Sequence, residues 1–105
     1  FQAGPPVFDG PEDRNGRRNH DEIMFWRKML DGEFPPPVTG RFVLAGGANL
    51  DPNDSDGRRL AIRTLLTDRR LQDPQPRSEG AAQADDQGHK GDNALDTVDW
   101  PRVGR

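Results

Sequence analysis

Few residues of this chain have the types and spacing that chemistry needs. The densest group is Asp51-x-Asn53-x-Ser55-Asp56-Gly57, a run of oxygen donors of the kind that can wrap a calcium ion. A calcium loop of the EF-hand kind needs Gly at its sixth position and a bidentate Glu at its twelfth. Counted from Asp51 those positions hold Asp56 and Ile62, so the glycine is one place late and the carboxylate is missing. The commoner role for such a run is to cap the helix that follows it. His20, Asp21 and Glu22 are consecutive, and on a helix consecutive side chains diverge by about 100°, so they cannot converge on one metal. No His-Glu-x-x-His pattern is present. His89 stands beside Lys90 in a polar stretch and reads as solvated. Arg58 and Arg59 open a helix, where a phosphate could be met, although a charged solvated face is the more usual meaning. Trp26 and Trp100 could stack on a base or sugar; Trp26 shares an apolar stripe with Ile23 and Leu30, which favours packing. Asn49 follows an apolar run, a place where Asn commonly serves a turn.

Those residues must be positioned by a few elements. Residues 1–18 are rich in Pro, Gly and charge and read as an extended loop. Asn19 reads as a helix N-cap, with Glu22 three residues on completing a capping box. Ile23, Trp26 and Leu30 then recur at spacings of three and four, widened by Phe25 and Met29, so a helix is expected over 20–31. Gly32 stops it and Pro35, Pro36 and Pro37 forbid its continuation. Arg41 to Ala45 is a short apolar run suited to a strand buried on both faces, ended by Gly46 and Gly47. A second helix is expected over 57–69, with Leu60, Ala61, Ile62, Leu65 and Leu66 as its buried face. Residues 72–93 lack periodicity and read as a long flexible loop. Leu95, Val98 and Trp100 mark the start of a further strand region over 94–105. The domain reading is therefore a helix–strand–helix core over 19–71 between irregular segments.

Composition limits what such a core achieves. Leu, Ile, Val and Phe supply 20 of the 105 residues, and Gly and Pro another 22. Ordering a residue costs roughly 1–2 kcal/mol of backbone entropy, so this apolar content is thin for a domain standing alone. The net charge of −3 is small and mixed along the chain, with no basic stripe for tight nucleic-acid binding. Cysteine is absent, so there is neither a disulfide framework nor a thiolate metal site. The apolar runs are too short to span a membrane, and nothing in the sequence points to an oligomer.

The segment Phe42-Val-Leu-Ala-Gly-Gly-Ala-Asn-Leu-Asp-Pro52 resembles a hallmark of the endonuclease/exonuclease/phosphatase superfamily, in which a buried strand ends in Gly-Asp-x-Asn. Pro6-Val-Phe-Asp-Gly-Pro-Glu-Asp-Arg-Asn15, Asn19-His-Asp-Glu-Ile23, Asp56-Gly-Arg-Arg59, Leu71-Gln-Asp-Pro74 and Leu95-Asp-Thr-Val-Asp-Trp100 are similar to segments of a bacterial branch of that family. The resemblance implies an α/β fold, here a partial piece of a two-sheet α/β sandwich of the DNase I-like kind with long irregular loops. It implies a metal-dependent phosphoesterase using Mg2+ (or Mn2+ or Ca2+), acting on a phosphoester or nucleic acid. Localisation is left open: the absence of cysteine permits an exported or periplasmic bacterial protein without requiring it. Of the motif, Gly46, Gly47, Ala48 and Asn49 are the matching residues. Asn49 takes the position of the phosphate-donating Asn, and Gly47 occupies the position of the motif Asp. A glycine has no carboxylate to orient or deprotonate water, and other active-site segments of the family are missing, so this chain is expected to be inactive on its own. The alternative from another class is a non-catalytic calcium-binding or interaction module built on residues 51–56.

Overall fold

The structure, a computed structural model, describes residues 1–84 and 87–98. Two compact units divide the chain, Phe1–Gln72 and Asp73–Arg105. The first is built on two helices, α1 (Arg14–Leu30) and α2 (Leu60–Leu66). The second holds a short helix, α3 (Glu79–Ala84), and a 3-10 turn at Asn93–Leu95. The expected two-sheet α/β sandwich is not formed. Among the described residues the only β-pairing is one isolated parallel bridge between Gln2 and Gly47.

Helix α1 begins six residues earlier than the sequence suggests, within what was read as loop 1–18. Its first N–H groups need acceptors that the helix cannot supply. Asp9 supplies them from outside, its Oδ2 accepting from Asn15 N at 2.6 Å and Gly16 N at 3.4 Å. Gly16 permits the tight start, because a Cβ there would stand 2.0 Å from Asp13 Oδ1. The helix ends at Gly32, which takes φ +77. Gly32 N donates to Met29 O and Glu33 N to Lys28 O, the paired closing bonds of a Schellman motif. Asn19 is thus not an N-cap; it lies in the middle of α1 and is fully buried.

Helix α2 is shorter than 57–69. Thr67 closes it, with Oγ1 donating to Arg63 O at 2.8 Å. Ala61, Ile62 and Leu65 face inward, whereas Leu60 and Leu66 do not; Leu60 is 69 % exposed. With Ala3, Ile23 and Leu50 the three inward residues form the core, and Trp26, Leu30, Leu44 and Leu71 are partly buried against it. Each fully buried aliphatic side chain contributes about 1.5–3 kcal/mol, so this small cluster is a modest driving force.

The expected strand at 41–45 is absent. A strand exists only by pairing, and the segment that pairs here among the described residues, Phe1–Ala3, meets only the last residue of that run, Ala45, and then Gly47. Phe1 N donates to Ala45 O at 2.7 Å, Gly47 N to Phe1 O at 3.0 Å and Ala3 N to Gly47 O at 2.8 Å. Val43 is left 89 % exposed. In the second unit, the stretch read as flexible loop 72–93 contains α3, started by Ser78: Ala82 N bonds its carbonyl and Ala81 N its hydroxyl. The expected strand region at 94–105 begins with the 3-10 turn instead, and Trp100 lies outside the described residues.

Candidate functional site

Residues 46–49 are held by contacts from three directions. Gly46 lies against Phe1 so closely that a Cβ would be 1.9 Å from Phe1 O, and its φ of +155 is open to glycine. Asn49 adopts the left-handed conformation, φ +49, which Asn tolerates better than most residues. Its Nδ2 donates to Ala3 O at 2.8 Å. From α1, Asn19 Nδ2 donates to Gly4 O at 2.8 Å and to Ala48 O at 2.9 Å. Glu22, one turn on, accepts from Gly4 N at 2.6 Å. The two chain segments 1–4 and 45–49 are therefore fastened to each other and to one face of α1.

This geometry gives the two motif residues definite places. Asn49, expected to donate to a phosphate, uses its amide to hold residue 3. Gly47 brings no side chain, and the Gln2 carboxamide lies over it: Oε1 is 2.6 Å, and Nε2 3.1 Å, from where a Cβ would stand. Sequence reading took Asn19 for an N-cap and missed its bridging role. Its signal was the apolar stripe itself, since counting back four from Ile23 lands on Asn19 and puts it on the buried face. A polar residue there must find partners inside, and its Nδ2 does. Its Oδ1 is buried without a hydrogen-bond partner.

Beside this cradle an open recess of about 660 Å3 is lined by Phe1, Gln2, Arg18, Asp21, Glu22, Phe25 and Trp26. Trp26 packs against Phe1 with ring centroids 5.5 Å apart and edge-on to Phe25 at 5.2 Å. It is thus engaged in packing, as its stripe position implied.

The acidic loop is already satisfied from within. Asp51 Oδ1 accepts from Asn53 N and Asp54 N at 2.6 and 2.8 Å. Arg59 donates to Asn53 O, and Arg63 Nε to Pro52 O at 2.9 Å. Two backbone carbonyls of the loop are thus covered by guanidinium groups, whose charge repels a cation. Among the described residues no cluster of three or more His, Asp or Glu can hold a metal. The described residues do not fit the magnesium site that the family resemblance implies. Arg58, considered for phosphate, instead donates to Asp13 Oδ2 at 2.9 Å and ties α2 to the start of α1. His20 lies 3.1 Å from Asp21. His89 is partly buried rather than solvated, with Nδ1 3.2 Å from Asp96 Oδ2.

A second set of charged residues was also missed. Asp68 is buried and bound by Arg70 through Nε at 2.9 Å and Nη2 at 2.6 Å. Arg70 also reaches Asp31 at 2.5 Å and the Leu30 carbonyl, and Arg27 approaches Asp68 at 3.3 Å. The Arg70 bond, chief among the causes, holds the Asp68 carboxyl down to about 2 against its burial. The same guanidinium lowers Asp31 and is itself raised. These residues clamp the ends of α1 and α2.

No known protein family, curated protein or solved structure matches the chain. Among the described residues no helix is long and apolar enough to cross a membrane.

Proposed function

We propose that this chain belongs to the working parts of a metal-dependent phosphoesterase of the endonuclease/exonuclease/phosphatase type, contributing the loop at 46–49, and that it has no turnover of its own. The observation that carries the reading is the fastening of that loop. Asn19, Asn49 and Glu22 lie within segments similar to the family, and their side chains converge on residues 3, 4 and 48. A loop fixed in advance suits phosphoryl chemistry, because surroundings that need no reorganisation stabilise developing charge best; the Asn49 amide serves here by fixing the loop, its Nδ2 being turned to Ala3 O.

Inactivity follows from Gly47. Attack on an anionic phosphoester needs a group that orients or deprotonates water, and no side chain at 47 provides it. Magnesium is implied for the working enzyme by the resemblance alone, and the described residues offer it no site. The substrate class is a phosphodiester or phosphomonoester.

The test is Gly47→Asp in the longest natural protein that contains these residues, assayed with Mg2+ on bis(p-nitrophenyl) phosphate. Turnover should rise about 100-fold or more, the usual worth of a positioned acid–base group. No gain in a folded variant would sink the proposal.

A further inference from the structure

The open recess beside the cradle is bordered by one face of α1. Positions 18, 21, 22, 25 and 26 line it, and their spacings of three and four bring them to the same side of the helix. Its volume of about 660 Å3 is that of a small-molecule site. The wall is aromatic. Phe1 leans on Trp26 with centroids 5.5 Å apart at 49°, and Phe25 meets Trp26 edge-on at 5.2 Å. Phe34 braces Phe25, stacked on it at 5.1 Å and 15°. The rings thus hold one another in place before a ligand arrives, and Phe25 stays 39 % exposed.

The charges around the recess are unequal. Two carboxylates, Asp21 and Glu22, stand against the single guanidinium of Arg18. The Asp21 side chain is 82 % exposed and touches His20 at 3.1 Å. Glu22 gives one oxygen to Gly4 N at 2.6 Å, and the other lies 4.0 Å from Arg18. Arg18 is engaged elsewhere: its Nη2 donates to Asn15 Oδ1 at 3.2 Å and its guanidinium lies over Gly4. The Phe1 ammonium donates to Ala45 O at 2.7 Å. Aromatic rings carry negative faces, and the carboxylates add charge of the same sign.

We propose that this recess binds a small organic cation, a methylated ammonium whose methyl groups rest on Phe25 and Trp26 while Asp21 supplies the counter-charge. Such a head group has no N–H donor, so an aromatic wall leaves none of its hydrogen bonds unmet. Its charge is attracted to the ring faces, most strongly to that of Trp. An anion would meet repulsion from both carboxylates, and a neutral ligand would gain nothing from them. The site uses none of residues 46–49 and stands independently of phosphoryl chemistry.

The experiment titrates the 105-residue chain with choline and with dimethylbutanol, its neutral carbon isostere, at neutral pH. Binding is read by NMR on the Trp26 indole and Phe25 ring protons. Choline should give saturable shifts and bind at least about fivefold more tightly than the alcohol. Phe25→Leu keeps an apolar side chain and removes the ring; it should weaken choline about threefold and leave the alcohol unchanged. Asp21→Asn, at an exposed position, should weaken choline about twofold, with the difference shrinking as salt is raised. Equal binding of the two ligands would show an apolar recess alone and overturn the proposal. Shifts that do not saturate by about 100 mM choline overturn it as well. If Phe25→Leu does not fold, the ligand pair and Asp21→Asn decide the matter: choline binding that ignores both differences refutes the site.

Discussion

The side-chain amide of Asn19 bridges two carbonyls 44 residues apart in sequence, Gly4 O at 2.8 Å and Ala48 O at 2.9 Å. It does so from the middle of a helix, fully buried. The donors of the amide must face these carbonyls, since the opposite orientation would set oxygen against oxygen. Replacement by Leu, of similar size, leaves both carbonyls without this donor. Asn19→Leu should lower unfolding stability by about 2 kcal/mol, read by urea denaturation. His20→Ala, one residue on and making only an exposed contact with Asp21, should change it by less than about 0.5 kcal/mol. Equal effects at the two positions would contradict the bridging role.

Gly46 predicts a local effect. Gly46→Ala places a methyl group onto the Phe1 carbonyl, which cannot swing away as a side chain can. The parallel bonds at Ala3 and Gly47 should open, with their amide protons exchanging at least about 10-fold faster while those of α1 keep their protection. Uniform loss of protection throughout the first unit would show instead that the ladder is inseparable from the fold.

Acid should loosen the clamp between α1 and α2. The Asp68 carboxyl is lowered from 3.8 to about 2 in the folded chain, and Asp31 is lowered by the same arginine. A lowered carboxyl stabilises the fold while ionised, fully so above its unfolded pKa. That stabilisation is lost as pH falls from about 4 toward 2. Unfolding followed between pH 7 and 2 should show the steepest loss in that window, and Asp68→Asn should flatten it. An unchanged slope in the variant would remove Asp68 from the account.

Calcium should do nothing. Arg59 and Arg63 cover the carbonyls of Asn53 and Pro52, and their positive charges oppose a cation entering the loop. Calorimetry at millimolar calcium should give no binding heat, and the melting temperature should stay within about 1 °C, since a ligand stabilises only what it binds. A clear rise would restore the calcium-module reading of residues 51–56.

The sequence by itself determined what depends on neighbours within a few residues. The stripe Ile23, Trp26 and Leu30 and the stop at Gly32 define the body and end of α1, because 3.6-residue periodicity and a left-handed glycine are local properties. The centre of α2, at Ala61, Ile62 and Leu65, was legible for the same reason. Of the candidate site, Gly47 and Asn49 could be marked as special, but not what lies against them. Tertiary structure decided the rest. Asp9 set the start of α1 from outside the helix, so Asn19, which has the chemistry of a cap, was free to become a buried bridge. Phe42-Val-Leu-Ala45 has the composition of a strand, yet composition supplies no partner. Phe1–Ala3 pairs only at residues 45–47 and leaves Val43 to solvent. Pairing and burial depend on residues dozens of positions away, and these contacts select among the roles that each side chain's chemistry allows.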